Sequence, residues 1–271
     1  MAVPSHAAGS STPEPEFGLL ETAPADSNDE VFRYFVDNTH PDATDRNNPF
    51  GTADLPRMTL PIGQLDAGTI LIIAGGPYSG RRVSWHVSGS ADRPVWIRGA
   101  STDNKPIIRQ QIRLLGTHAI IENLEFDRSR TSIEILPGSH HLAVRSSHFF
   151  GEGRLDGHTS VLGVYGTSDA RTTHVVFADN EIHDFGDIQP GSRENDYHGI
   201  KASRYCDNIW ITGNRIFNMG GDSVQIGDAR LSDAERCSRV FISDNDSVSY
   251  THLRAHETLR SISYAVFCLK I

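Results

Sequence analysis

The chain has 271 residues and a formal net charge of −9. An acidic balance argues against nucleic acid as a partner, since a nucleic-acid surface needs a basic face. No apolar run is long enough to span a bilayer, so no membrane insertion is expected. One domain is expected, and a monomer.

Residues 1–15 are small, Pro-rich and Ser-rich, and read as disordered. Residues 16–66 carry the polar run Asp37-Asn38-Thr39-His40-Pro41-Asp42-Ala43-Thr44-Asp45. This segment is expected to cover the open N-terminal end of the domain that follows, because an uncovered end would expose strand edges and core. From residue 67 the sequence turns β-rich. Thr69-Ile70-Leu71-Ile72-Ile73-Ala74 and Val95-Trp96-Ile97-Arg98-Gly99 read as strands.

Five segments then repeat one pattern: 118–126, 141–149, 174–182, 208–216 and 239–247. Each has a polar opener, a short apolar run, a polar turn and usually a closing apolar residue. Their starts lie 23, 33, 34 and 31 residues apart. Periods in this range signal stacked repeats, in which each strand pairs with its equivalent one coil away. Second apolar runs such as Ser132-Ile133-Glu134-Ile135-Leu136 and Ser223-Val224-Gln225-Ile226 alternate with period two. Short strands without a long helical period predict an all-β chain, a parallel β-helix over 67–247. Asn180, Asn214 and Asn245 share one column. Stacked asparagines can hydrogen-bond along such a column, and they tolerate left-handed corners.

Cys206 and Cys237 each sit two residues before a repeat opener, so they also share a column. Neighbouring strands are about 4.8 Å apart, within the range a disulfide allows. A disulfide and a pair of packed thiols are both open readings.

The repeat is interrupted once, between Ile182 and Gly199. The insertion contains His183, Asp184, Asp187, Arg193, Glu194, Asp196 and His198. Insertions in solenoids map to loops on one face, often the binding face. In an extended strand Asp196 and His198 point the same way. A carboxylate beside an imidazole raises its basicity and fixes its tautomer, which suits proton transfer near neutral pH. Gly199 allows close approach of a ligand or a tight turn. Asp222, in Gly220-Gly221-Asp222-Ser223-Val224-Gln225, lies 26 residues after Asp196, about one coil later. The two carboxylates are candidate ligands for Ca2+, or else turn residues capping backbone. Arg204 is a candidate partner for a substrate carboxylate, and Lys201 for the same role or as a base. Tyr197, Asp222, Gln225, His183 and Asp187 are candidate substrate contacts. Arg145 and His148, two coils earlier, are expected to lengthen the same groove.

The polar-His-Val-x-Ile-x-Asn-Asn-x-Ile pattern of the coils over 66–247 resembles the right-handed parallel β-helix proteins of the pectate-lyase-like superfamily. Asp196-Tyr197-His198-Gly199 is similar to the Asp-Pro-His motif of mannuronan C5-epimerases, with Tyr197 where that group has Pro. The resemblance implies a right-handed, single-stranded solenoid that is secreted or periplasmic and acts on an anionic polysaccharide. It implies His198 and Asp196 as catalytic; Lys201 and Arg204, singled out above by their charge, would then bind or neutralise the uronate. Lyases of that group abstract the proton alpha to the uronate carboxylate and expel the 4-linked sugar; epimerases return a proton from the other side. Met1-Ala2-Val3-Pro4-Ser5 has neither a charged nor an apolar leader region, so no signal peptide is visible. Two readings stand beside the enzyme: a non-catalytic carbohydrate-binding or adhesin-like solenoid, and a hydrolase of the same fold using Asp187, Asp196 and Asp222.

The last stretch has a different character. Val248–Thr258 resembles an in-frame translation of a transposase sequencing adapter, and Ile262–Lys270 resembles the flow-cell end of that adapter. Residues 248–271 are therefore expected to be non-native, with the natural protein continuing for further coils, so that the β-helix here is C-terminally truncated.

Overall fold

The computed structural model describes residues 13–24, 32–128, 130–152, 159–186, 197–227 and 230–247, and the backbone of 248 and 267–268. The described residues contain strands, turns and bends but no helix. Among the described residues all strand pairing is parallel, in a 15-stranded and a 6-stranded sheet.

The pairings resolve into three ladders, visited in cyclic order. The first ladder stacks Gly63–Asp66, Val83–Ser88, the start of Ile112–Glu122, Ile133–Ile135, Thr159–Val164, Tyr197–Ala202 and Val224–Ile226. The second stacks Phe32–Asp37, Thr69–Ala74, Val95–Gly99, the end of Ile112–Glu122, His140–Arg145, Thr172–Ala178, Cys206–Thr212, Ser238–Ser243 and Phe267–Cys268. The third stacks Ile107–Ile108, Glu125–Asp127, His148–Phe150, Glu181–Phe185, Arg215–Met219 and Asp246–Val248. Strand Ile112–Glu122 runs through the first corner and joins two ladders into one sheet. Parallel sheets curled in this way are consistent with a β-solenoid. Among the described residues, pairing begins at Phe32–Asp37, ahead of residue 67.

Inward rows form the core. Leu114, Ile135, Val164 and Ala202 follow one another in register on the first ladder, and Ile121, Val144, Phe177 and Ile211 on the second. Phe126, Phe149, Ile182 and Ile216 do so on the third, with the two phenyl rings stacked 4.8 Å apart.

The outer face of the second ladder is apolar too. Ile70, Trp96, Ile120, Ala143, Val176, Trp210 and Phe241 make one outward row, all buried. Phe17, Leu19 and Ala23 cover it. Residues 13–24 thus lie along the side of the stack, where 16–66 as a whole was expected to close its end.

The asparagine column forms the predicted hydrogen-bonded stack. Asn180 Nδ2 donates to Asn214 Oδ1 at 3.0 Å, and Asn214 Nδ2 to Asn245 Oδ1 at 2.9 Å. The same amides donate to Val144 O, Phe177 O and Ile211 O. The left-handed residue, however, is the one before each asparagine: Asp179, Gly213 and Asp244, with φ between 53° and 66°. The openers are left-handed as well: His118, His141, His174, Asn208 and Arg239 have φ between 49° and 54°.

Cys206 and Cys237 are buried free thiols at neighbouring positions of adjacent coils. The hydrogen bond with Cys237, together with burial, pushes the Cys206 thiol up.

Candidate functional site

The first ladder carries a cleft of about 210 Å³ on its outer face, lined by Thr131, Glu134, Thr159, Ser160, Gly163, Val164, Tyr165, Lys201 and Ser203. Its floor follows from strand register. Glu134, Gly163, Lys201 and Gln225 are paired in succession across four coils, between inward residues such as Ile135, Val164, Ala202 and Ile226. Gly163 is the gap in this row: it has no side chain, so a hollow opens between Glu134 and Lys201. A Cβ built there would meet only Ser160 Oγ, at 3.1 Å.

Hydroxyls dominate the rest of the lining. Thr131 and Thr159 hydroxyls hydrogen-bond each other at 2.6 Å. The Glu134 carboxylate is engaged by Arg113 Nε at 2.9 Å. Lys201 has no ion pair among the described residues, so its ammonium is available to an anion in the cleft. The Gln225 Oε1 is buried without a hydrogen-bond partner.

His198 is reached through a break in alternation. Tyr197, Ile200 and Ala202 all belong to the core, and a Cβ at Gly199 would meet the core residue Ile216. Gly199 and Ile200 therefore both face inward, a bulge that turns His198 and Lys201 to the outer side. The preceding coil has the same feature at Val161 and Leu162, both in the core, and Ser160 pairs with His198.

Among the described residues, Asp222 partners His198. The Asp222 backbone N–H donates to His198 Nδ1 at 3.1 Å, and the Asp222 Oδ2 lies 3.4 Å from the same nitrogen. The N–H contact favours the neutral tautomer with its proton on Nε2. The carboxylate favours a proton on Nδ1, as in the imidazolium. Asp222 can thus follow the ring through both protonation states. The His198 side chain is only 2 % exposed.

The structure separates the remaining predicted residues. Tyr197 is no substrate contact: it is 1 % exposed, its ring packs on Phe185 at 5.8 Å, and burial pushes its phenol up. Arg145 does not lengthen the cleft. It lies on the second ladder, where it pairs with Glu122 at 2.9 Å and donates to the carbonyls of Gly18, Leu19 and Glu21. Arg204 is exposed at the corner after Tyr197–Ala202; the hydrogen bonds from Ser232 hold the Glu235 carboxyl down, and the Arg204 charge adds to them. His148 and His183 are on the third ladder, on another face from the cleft. Asp187 and Asp196 lie outside the described residues, as does most of the insertion. Glu134 and the cleft hydroxyls were not singled out by sequence, although Glu134 between Ile133 and Ile135 already reads as outward.

No known protein family's sequence pattern matches this chain, and no curated protein does. Among solved structures, it is similar to a rhamnogalacturonan lyase at 14 % identity and a TM-score of 0.45, covering 81 % of this chain and 62 % of that one. It is also similar to an alginate lyase from Paenibacillus sp. str. FPU-7 at 12 % identity and a TM-score of 0.29, covering 70 % of this chain and 98 % of that one.

Proposed function

We propose that this chain is part of a secreted or periplasmic, right-handed parallel β-helix protein that acts on a uronate-containing polysaccharide at the first-ladder cleft. The observation that carries the reading is the hollow at Gly163: a groove lined with hydroxyls and closed on one side by a lysine without an ion-pair partner among the described residues. Hydroxyls suit sugar hydroxyls, and a single ammonium suits one carboxylate. Lys201 holds the uronate carboxylate and offsets the charge that develops when the alpha proton leaves. His198 moves protons, with Asp222 supporting the ring in either tautomer. Proton removal followed by departure of the 4-linked sugar gives a lyase; return of a proton to the other face gives an epimerase. Ca2+ enters this reading only as an aid to carboxylate binding near Asp222, and comparing reactions with added Ca2+ and with a chelator decides its part.

One observation favours a second reading, a carbohydrate-binding solenoid without catalysis: His198 is almost fully buried. Incubation with alginate, pectate and glycosaminoglycans separates the two. Ultraviolet absorbance reads the unsaturated lyase product, and NMR reads epimerised residues. Binding by calorimetry with no change in either signal establishes the binding module. Absence of binding to every anionic polymer overturns both.

A further inference from the structure

We infer that His148, His183 and Glu181 form a binding site for a divalent transition-metal ion on the outer face of the third ladder. Phe149 and Ile182 point into the core, so their sequence neighbours His148, Glu181 and His183 point out. His148 Nε2 and His183 Nε2 stand 2.8 Å apart, and Glu181 Oε1 is 3.8 Å from the latter. One donor atom from each residue falls within 4.8 Å of the others.

The far side of each ring makes this more than a cluster. His183 Nδ1 is 2.7 Å from Asp184 Oδ2, and His148 Nδ1 is 3.2 Å from Glu125 Oε2. A carboxylate can only accept, so each fixes a proton on Nδ1 and turns a lone pair out at Nε2. Two lone pairs then face each other at hydrogen-bond distance. They repel unless something positive lies between them, and the choices are a proton or a metal ion. A carboxylate behind each histidine is also the arrangement that orients metal-bound imidazoles.

The supports are rigid. Asn218 Nδ2 donates to the other Asp184 oxygen at 3.0 Å, and the His183 ring stacks on Phe217 at 4.6 Å. Arg215 approaches Glu181 Oε2 at 3.4 Å, which leaves Oε1 for the ion. The ligand side chains are 28 %, 17 % and 42 % exposed for His148, His183 and Glu181, so an ion can enter and water can complete its shell. Two imidazoles and one carboxylate suit Zn2+, Co2+ or Ni2+, whereas Ca2+ and Mg2+ prefer all-oxygen shells. Zinc-bound nitrogens lie about 2.0–2.1 Å from the metal, so the rings need to part by only a fraction of an ångström.

The test is titration of the 271-residue chain with Zn2+ by calorimetry and with Co2+ by visible absorption. One saturable site is expected. His183→Phe, which keeps a ring for Phe217 to stack on, should abolish it. Asp184→Asn should weaken it about ten- to a hundredfold, as loss of an outer-shell partner does. A second histidine group, His118, His140 and His141, is the internal rival; His141→Asn should leave the affinity unchanged. No saturable binding by the parent chain would mean that a proton holds the pair, and the site would be withdrawn. It would be withdrawn equally if folded His183→Phe binds as well as the parent, or if His141→Asn alone removes binding.

Discussion

Gly163 makes the cleft by what it lacks, and Lys201 gives it a sign. The Gly163 backbone is not in a left-handed conformation, and its Cβ would touch only a movable hydroxyl. Gly163→Val should therefore fold normally and fill the hollow. Polymer binding should fall at least tenfold while the thermal midpoint holds. A destabilised but still binding variant would place the ligand elsewhere. Lys201→Ala removes one charge-assisted contact, and about a tenfold loss of affinity for a uronate polymer is expected, shrinking as salt is raised. Calorimetry at two ionic strengths reads both. A loss of equal size with a neutral glycan would contradict a carboxylate contact. Asn214 shows the structural counterpart of such residue-level specificity. Its side chain accepts from Asn180 and donates to Phe177 O, Thr212 O and Asn245. Asn214→Ala leaves buried polar groups in two coils unpaired, at a cost of about 2–4 kcal/mol, readable as a lower denaturant midpoint.

Element by element, the sequence showed most of the scaffold and little of the site. The openers and the asparagines are legible because a solenoid returns each to the same corner. His, Asn and Asp are the side chains that tolerate left-handed backbone best. The left-handed residue sits one place before each asparagine because the asparagine side chain must reach the neighbouring coil. The orientation of Lys201 was not legible. Strict alternation puts it opposite His198, and the bulge at Gly199 and Ile200 reverses that. The buried outer row was signalled in principle by continuous apolar runs such as Ile209-Trp210-Ile211, since a strand covered on both faces shows no alternation. Arg145 was misplaced for a related reason: a basic residue in a coil says nothing of which face it is on.

The opener column also predicts a pH dependence. The rings of His118, His141 and His174 stack 4.5 Å apart, with Phe17 against the first two. Burial, and then the neighbouring imidazoles, push His141 down to about 4. An unfolded histidine titrates near pH 6.5. The native state thus binds fewer protons than the unfolded state between these values. The stability contribution is full above about pH 6.5 and is lost as pH falls toward 4. His141→Asn keeps a residue suited to positive φ and removes the titration. The difference between the two proteins' unfolding midpoints should narrow or change sign over that window. A constant difference would show that the ring is not held neutral.

On the scale of the whole molecule, each coil touches mainly its two neighbours, so damage stays local unless something ties distant coils together. Residues 13–24 are such a tie. Phe17 packs against the openers His118 and His141, Trp210 Nε1 donates to Pro13 O at 2.7 Å, and Arg145 fastens the carbonyls of Gly18, Leu19 and Glu21. The strap thereby spans several coils and covers the outward row that includes Trp96, Val176 and Trp210. An uncovered apolar stripe of that kind invites self-association. Removing residues 1–24 should give a chain with the same strand content that binds an apolar dye, elutes as larger species and unfolds at lower temperature. Arg145→Met is the milder version, which keeps packing on Trp96 but loses the carbonyl clamp. It should speed proteolysis within residues 13–24 without changing the far-ultraviolet spectrum. If truncation leaves elution and dye binding as in the parent, the row is covered by something other than the strap, and the N-terminal segment is not the tie that joins these coils.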